Sequence, residues 1–281
     1  MDMNAHPPVL TKPSQYNKMR IVVITRFSPG QVYFTNTLAR QNPIVAIFEE
    51  QAWTNNWNKF KRRMHKGVRE YGLRTIPAQF MEGVYLYYQQ KLSRETEHKF
   101  FFNKLPFAFS PDIPRYQVRS INDASAITQL KALKPDVLVV FGSSILRKRV
   151  IKIPQLGTFN MHNGILPQYR GAKSEFWALY RNEPEMVGVT IHRIEERVDT
   201  GEIVLQAYVL PRPGENERLL RCETIKAGTS LMNQALDQLE KGTVTYLPQE
   251  EASAGYYSTP SMQEYRELHR RLNRTKQNQA R

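Results

Sequence analysis

The sequence predicts an α/β protein with a Rossmann-like, mostly parallel sheet and flanking helices, and two observations support this fold class. First, residues 21–25 and 43–48 are short apolar runs rich in β-branched side chains, separated by a stretch of helical composition at 31–40. Second, the same order of strand, helix and strand returns within residues 115–141. Strands that are apolar throughout are typical of parallel sheets covered by helices on both faces.

The rest of the chain continues the same alternation. A short strand at 158–162 ends in polar residues, and a helix is expected at 174–180. Two strands, at 187–194 and 202–209, precede a helix over 215–239 whose apolar residues recur on one side. Alternating strands and helices indicate an α/β architecture rather than separate helical and strand regions.

A basic helical insertion at residues 54–104 lies between the two halves of the predicted sheet. The first of its two helices has apolar residues at spacings of three and four: Trp57, Phe60, Met64, Val68 and Tyr71. The second runs from about 79 to 99, with an inner face formed by Phe80, Val84, Tyr87 or Tyr88, and Leu92. We interpret both stripes as core. Exposed aromatic side chains beside Lys and Arg would instead form a stacking surface for bases.

The chain divides into a flexible leader at 1–19, a catalytic domain at 20–245 and a short C-terminal extension at 246–281, whose polar end from Leu272 is expected to fray. The leader lacks the apolar core of a secretory signal, and no apolar run reaches the ~20 residues that span a bilayer. The single cysteine, Cys222, forms no intramolecular disulfide, and no Cys/His cluster has zinc-ligand spacing. These features predict a cytoplasmic protein without a membrane or metal partner.

The net charge of +14 lies mainly in two stretches of the chain. Residues 54–104 hold 11 Lys and Arg against 4 Asp and Glu, and residues 261–281 hold 6 against 2, which together give +7 and +4. A field of this kind could steer an anionic substrate or a nucleic acid towards the near-neutral middle of the chain. Solvated helix faces have the same composition, so the charge alone does not choose between these interpretations.

Two polar residues, Asn160 and His162, lie two positions apart at the end of a predicted strand. Residues at this spacing project from the same face of a strand, towards the carboxyl edge where open α/β sheets bind ligands. The turn 197–201 between two later strands could present Asp199 to the same pocket. The spacing alone also fits hydrogen-bonded structural residues.

Four ordered elements then resemble the folate-dependent formyltransferases, closest in layout to the sugar N-formyltransferases. The family pattern is Asn-x-His, Leu-Pro-x-Tyr-Arg-Gly, Gly-Val-Thr and Asp-Thr-Gly, and this chain has Asn160-Met161-His162, Leu166 to Gly171, Gly188-Val189-Thr190 and Asp199-Thr200-Gly201. The resemblance covers about residues 20–245. This chain departs from the family at Asn163-Gly164, where Pro-Ser is common.

The resemblance implies transfer of a formyl group from a donor of the 10-formyltetrahydrofolate type to an amine, without a metal. Asn160 would donate to the oxygen that gains negative charge, a role worth about 3 kcal/mol. His162 would be the general base, because a neutral imidazole titrates near neutrality. Asp199 would either orient His162 or order a proton-relaying water. His192, on the following strand, is expected to have no such partner.

The resemblance also implies two sets of binding residues. Main-chain groups and apolar side chains would hold the pterin ring of the donor at Ser144, Ile145 and Leu146, with Ile194, Glu195 and Val198 opposite. Contacts to the acceptor are expected at Asn163, Gly164, Tyr169, Arg170 and Gly171.

The acceptor is approached by elimination. Residues 26–31 match poorly the Gly-rich phosphate loop of the enzyme that formylates glycinamide ribonucleotide. Only 36 residues (281 minus 245) follow Thr245, fewer than the C-terminal barrel of the methionyl-tRNA enzyme requires. The favoured acceptor is a nucleotide-linked amino sugar. The alternative acceptors are another small amine, such as a hydroxylamine-type siderophore precursor, and methionyl-tRNA. The alternative functions are a formyltetrahydrofolate hydrolase and a catalytically silent binding module. The expected partner is a small phosphorylated or nucleotide-linked amine; a nucleic acid is the weaker alternative, and the oligomeric state is open to a homodimer.

Overall fold

A computed structural model describes residues 19–51, 69, 76–212 and 215–279. The strands are β1 (Ile21–Thr25), β2 (Ile44–Glu50), β3 (Arg115–Val118), β4 (Val137–Phe141), β5 (Gly157–His162), β6 (Arg170–Gly171), β7 (Gly188–Arg193), β8 (Ile203–Tyr208) and β9 (Tyr256–Tyr257). The α-helices are α1 (Pro29–Ala39), α2 (Ile76–Phe102), α3 (Ala124–Ala132), α4 (Lys148–Ile151), α5 (Ser174–Tyr180), α6 (Glu217–Glu240) and α7 (Met262–Gln279). Single 3₁₀ turns lie at Pro184–Met186 and Glu251–Ser253.

The predicted fold class is confirmed by a seven-stranded sheet of order β3-β2-β1-β4-β5-β7-β8. Strands β1 to β5 are parallel, whereas β7 and β8 continue the sheet as antiparallel neighbours. From β1 the strand order extends in one direction through β2 and β3, and from β4 it extends in the other direction through β5, so the order reverses between β1 and β4. Ligand sites of open α/β sheets form at such a switch point, outside the carboxyl ends of the strands.

Two apolar layers enclose the sheet, which explains why its central strands are apolar throughout. Every residue of β1 and of β4 is buried. Alternate residues face opposite layers, so that Val23 packs with Phe34 of α1 on one side and Ile24 packs with Leu130 of α3 on the other. Buried parallel strands of this kind are recognisable in a sequence because neither face must be polar.

The second helix of the insertion is present as α2, but its predicted inner face is wrong. Phe80, Val84, Tyr87 and Tyr88 are 53 to 72% exposed, and of the predicted inner residues only Leu92 is partly buried. The first predicted helix, with its stripe from Trp57 to Tyr71, lies outside the described residues apart from residue 69.

Polar side chains occupy the buried face of α2 instead. Gln89 accepts a hydrogen bond from Arg218 at 2.5 Å, and Glu97 accepts one from Arg221 at 2.9 Å. Because both arginines come from α6, more than 100 residues later in the chain, the apolar periodicity of α2 alone could not reveal which face would be covered.

The C-terminal part of the chain is helical beyond the point where fraying was expected. Helix α7 continues through Leu272 to Gln279, because Leu272 packs against the cluster formed by Phe176, Tyr265 and Leu268. Over residues 19–51, 76–212 and 215–279, no helix has the length and apolar content that crossing a membrane requires.

Candidate active site

A cavity of about 380 Å³ lies at the carboxyl ends of β4 and β5. Three segments form most of its wall: the end of β4 with the loop after it (140–146), the end of β5 (160–163), and the turn between β7 and β8 (194–199). The three residues predicted to be catalytic, Asn160, His162 and Asp199, all line it.

The fold brings His162 and Asp199 together although 37 residues (199 minus 162) separate them. Strand β7 runs antiparallel to β5, and the turn after it returns towards the end of β5. As a result, His162 Nδ1 lies 3.6 Å from Asp199 Oδ2, with both side chains largely buried. This distance is too long for a hydrogen bond but allows an ion pair when the imidazole is protonated.

The hydrogen bonds of His162 assign its tautomer. Its Nε2 lies 2.7 Å from the carbonyl oxygen of Tyr169, which can only accept, so Nε2 carries a proton and donates. Ser174 Oγ, 3.4 Å from the same nitrogen, also donates to that carbonyl. The unprotonated nitrogen of neutral His162 is therefore Nδ1, the one that faces Asp199.

Two glycines of the family motifs, Gly171 and Gly201, shape the backbone around Asp199. Asp199 itself has φ of 54°, a left-handed conformation that Asp tolerates better than most residues. A Cβ on Gly201 would lie 1.9 Å from the carbonyl oxygen of Arg193, so this turn requires glycine. Gly171, with φ of 98°, directs its N–H to Asp199 Oδ2 at 2.9 Å.

The C-terminal extension also holds Asp199 in place. Gln249 Nε2 donates to the carbonyl oxygens of Asp199 and Gly201, and its Oε1 accepts from Arg170. Strand β9 pairs with β6, which contains Arg170. This segment was predicted only as an extension, because nothing in its sequence indicates a contact with the Asp-Thr-Gly turn.

His192 is a site residue that the sequence analysis missed. Asn160 Nδ2 donates to His192 Nε2 at 3.1 Å, and His192 Nδ1 donates to the carbonyl oxygen of Arg193 at 2.8 Å. His192 Nε2 also lies 3.7 Å from Asp199 Oδ1. The expectation that His192 has no such partner is wrong, because the antiparallel register places it directly opposite Asn160.

The protonation state of His192 supports this arrangement. Burial lowers the pKa of His192, an effect that the carboxylate of Asp199 only partly opposes. A neutral His192 keeps a lone pair on Nε2, so it can accept from Asn160. One N–H of the Asn160 amide is thereby fixed, and the other stays available to the cavity.

A family model described as formyl transferase matches residues 9–236 of this chain. The chain belongs to the formyl transferase family. Methionyl-tRNA formyltransferase of Methylacidiphilum infernorum is 37% identical over 142 residues, which are 50% of this chain and 44% of that protein. This chain therefore spans about half the length of the curated relatives it matches.

Solved structures share the formyl transferase fold at low sequence identity. A sugar N-formyltransferase from a Shewanella species superposes with a TM-score of 0.55 at 12% identity, covering 89% of this chain and 86% of that chain. Glycinamide ribonucleotide transformylase 1 from Symbiobacterium toebii gives a TM-score of 0.54 at 16% identity, with 82% and 94% covered. The family resemblance inferred from the four motifs is confirmed.

All six residues predicted to hold the formyl donor line the cavity: Ser144, Ile145, Leu146, Ile194, Glu195 and Val198. We call residues 142–146 and 194–198 the loop half of the cavity. Within the described part of the chain, the main-chain groups of Leu146 and Val198 make no hydrogen bond. Unpaired N–H and C=O groups beside apolar side chains suit a flat heterocycle such as the pterin of a formyl donor.

A buried carboxylate on β2 fixes the loop half, and it was not predicted. Glu50 accepts hydrogen bonds from Ser144 N and Ser144 Oγ, both at 2.6 Å, and from Ile121 N at 2.9 Å. Arg26 lies 4.0 Å away as its nearest cation. Glu50 thus ties the loop after β4 to β2, which lies beyond β1 in the sheet.

Of the five predicted acceptor contacts, only Asn163 and Gly171 line the cavity. Gly164 packs so closely against Ser174 that a Cβ on residue 164 would lie 2.5 Å from the Ser174 hydroxyl oxygen. Tyr169 is 1% exposed and donates its hydroxyl proton to Glu183. Arg170 forms an ion pair with Glu251 at 3.0 Å. Consequently, Gly164, Tyr169 and Arg170 build the wall behind the cavity.

Three charged residues that were not predicted also line the cavity, from the start of α5 and from α6: Lys173, Glu175 and Arg221. We call them the charged half of the cavity. No sequence motif connects them, because Lys173 and Glu175 flank the first residue of α5 whereas Arg221 lies on α6. In the described residues, no group of three or more His, Cys, Asp and Glu side chains is arranged to hold a metal ion.

Proposed function

We propose that this chain transfers the formyl group of 10-formyltetrahydrofolate to an amine, with Asn160, His162 and Asp199 as its catalytic residues. The observation that carries the proposal is the arrangement of His162: Nε2 is committed to the Tyr169 carbonyl, and Nδ1 lies 3.6 Å from a buried carboxylate. When Nδ1 takes up a proton during the reaction, the Asp199 carboxylate supplies a counter-charge beside it.

Each residue has a distinct part in the proposed transfer. The amine nitrogen forms a bond to the formyl carbon, and the bond from that carbon to the donor nitrogen breaks. His162 Nδ1 accepts the proton of the attacking amine and returns it to the departing nitrogen. The free N–H of Asn160 stabilises negative charge on the formyl oxygen. His192 is a positioning residue, since it holds the other N–H of that amide.

The loop half is the proposed site of the donor. When bound there, the folate supplies the formyl group. Glu50 would keep the main chain at Ser144 to Leu146 in place for the pterin ring. Ile194 and Val198 supply the apolar wall on the other side.

As acceptor we propose a nucleotide-linked amino sugar. Two cations, Lys173 and Arg221, line the charged half, where an acceptor opposite the donor would sit. The excess of +7 over residues 54–104 favours a molecule with phosphate groups. Methionyl-tRNA is a second candidate, because the relative at 37% identity is a methionyl-tRNA formyltransferase and a polyanion would also be attracted.

The test is to incubate the protein with 10-formyltetrahydrofolate and a panel of nucleotide-linked amino sugars, with methionyl-tRNA in parallel. A gain of one carbonyl in the mass of a sugar supports the first acceptor, and formylation of methionyl-tRNA alone supports the second. Formate release in the absence of any amine would mean that the protein is a hydrolase.

A further inference from the structure

Glu175 is an unusual residue to find in the charged half, because it is a carboxylate that is 2% exposed and lines the cavity. A buried charge is costly unless hydrogen bonds or opposite charges stabilise it. The proposed transfer assigns Glu175 no role, so its partners have to be accounted for atom by atom.

Its two oxygens have different surroundings. Oε1 accepts from Asn163 Nδ2 at 3.0 Å and from Thr224 Oγ1 at 3.2 Å, and the Arg221 guanidinium lies 3.8 Å away. For Oε2, no hydrogen-bond partner exists among the residues that the structure describes. One oxygen is therefore anchored, and the other is left to bind something from the cavity.

Two neighbouring residues, Asn163 and Ser174, link Glu175 to the proposed catalytic base His162. Asn163, which anchors Oε1, directly follows His162 in the chain. Ser174, which precedes Glu175, has its Oγ 3.4 Å from His162 Nε2. A group bound to Oε2 would consequently lie in the part of the cavity that His162 also lines.

Lys173 provides a second unpaired charge in the same half. Over the described ranges 19–51, 76–212 and 215–279, its ammonium makes no hydrogen bond or ion pair. Burial, and then the neighbouring Arg221, lower the pKa of Lys173, as expected for a cation without a close anionic partner. Arg221, by contrast, is paired with Glu97 at 2.9 Å.

We propose that Glu175 and Lys173 form the acceptor site: Glu175 Oε2 accepts an N–H from the acceptor's amine, and Lys173 Nζ binds an acidic group of the same molecule. A neutral primary amine has two N–H donors and one lone pair. A carboxylate that accepts one N–H leaves the lone pair directed at the formyl carbon. The acceptor class is thus a small amine that also carries a carboxylate or phosphate, an inference that rests on the proposed formyl transfer.

Steady-state kinetics of Glu175→Gln and Lys173→Met with three probes test this site. The probes are a uridine-diphosphate-linked 4-amino sugar, the methyl glycoside of the same amino sugar, and ornithine, which carries a carboxylate. In Glu175→Gln, Asn163 and Thr224 retain the amide oxygen, so the amide N–H₂ faces the cavity and a donor replaces the acceptor. We expect kcat/KM to fall about ten- to hundredfold for every probe that reacts, with the KM of the formyl donor unchanged.

Lys173→Met should change the acceptor KM only for probes that carry an acidic group. We expect its acceptor KM to rise about tenfold for the nucleotide sugar or ornithine and to stay unchanged for the methyl glycoside. Whichever of the two acidic probes has the lower wild-type KM identifies phosphate or carboxylate as the recognised group.

Matched controls are available on α6. Glu223→Gln and Lys226→Met repeat the same chemical changes at residues that do not line the cavity, and both should behave like the wild type. Donor binding, measured by calorimetry, reports whether each variant is folded. Should Glu175→Gln fail this check, Glu175→Asp keeps the charge but withdraws it from the amine, and the same loss is expected.

The outcomes separate the acceptor site from the reaction itself. If the wild type formylates a probe and both variants keep its acceptor kinetics, the acceptor site is wrong while the proposed function stands. An equal effect of Lys173→Met on the methyl glycoside would also overturn it. If the wild type formylates no amine at all, the proposed function fails and the acceptor site fails with it.

Discussion

The loop half and the charged half of the cavity are built from different kinds of group. In the loop half, main-chain groups at Leu146 and Val198 have no hydrogen-bond partner among the residues that the structure describes. In the charged half, the corresponding groups belong to the side chains of Glu175 and Lys173. Main-chain groups tolerate changes of side chain, so a loop of fixed shape can serve relatives with different acceptors. Side chains change with each substitution, so the charged half is where the acceptor specificity of this chain would be set.

The largest expected effect lies where the two halves meet. His162→Ala and Asn160→Ala should each lower turnover by about 100-fold or more, because each removes a transition-state interaction. The melting temperature and the donor dissociation constant should change little, since neither side chain belongs to the apolar core. Turnover is measured on the purified variants with the acceptor that the panel identifies, and the melting temperature and donor dissociation constant are measured on the same preparations. Near-normal turnover in either variant is incompatible with the proposed mechanism.

Asp199→Asn tests whether the charge at the junction serves chemistry or donor binding. The amide keeps an oxygen that can accept from Gly171 N, but it removes the negative charge 3.6 Å from His162. Turnover should fall about tenfold or more, because imidazolium formation loses its counter-charge. Donor affinity should change much less. If donor affinity falls as far as turnover does, Asp199 belongs to the loop half and its catalytic role is wrong.

The same contrast explains how much of this molecule could be predicted. The central strands follow from local apolar runs, and β4 has the bounds that its five apolar residues indicate. The residues of the loop half were predicted from the family resemblance. His192 was missed because only the register of β5 against β7 places it opposite Asn160. Glu175 and Arg221 were missed because 46 residues (221 minus 175) separate them. Side-chain pairs between distant helices carry no local signal.

His192→Ala should lower turnover about tenfold, because the Asn160 amide loses the acceptor that orients it. Its effect on pH dependence is more specific. The lowered pKa of His192 means that folding favours the neutral form, so its contribution to stability is complete above the unfolded pKa of about 6.5 and is lost as pH falls. Urea unfolding between about pH 6.5 and 5 should show a smaller loss of stability in the variant than in the wild type. Parallel curves would mean that His192 is not held neutral by burial.

Glu50→Gln changes the loop half alone. The amide oxygen can still accept from Ser144 Oγ and Ile121 N, but the amide N–H₂ cannot accept from Ser144 N as the carboxylate does. We expect the donor to bind about fivefold more weakly, corresponding to about 1 kcal/mol, with the acceptor KM unchanged. Separate titrations of donor and acceptor measure the two effects. Equal weakening of both would show that the halves are not independent.

The smallest effect is expected from the basic insertion, residues 54–104, whose excess of positive charge acts at long range. Helix α2, the described part of the insertion, reaches the charged half through the ion pair of Glu97 with Arg221. Lys59, Lys61, Arg62 and Arg63 belong to this insertion and lie outside the described residues. Replacing these four by Glu should raise the acceptor KM about two- to threefold at low salt and weaken its salt dependence, because ionic strength screens long-range fields.

Turnover at saturating acceptor should stay constant in this variant, since steering acts before the chemical step. The matched control is the same four positions replaced by Gln, which removes the attraction without reversing it and should give an intermediate KM. An anionic acceptor predicts this graded order of wild type, Gln variant and Glu variant at low salt, and its disappearance at high salt. An unchanged KM and salt slope in the Glu variant would mean that the insertion binds another partner and that the acceptor is captured by the charged half alone.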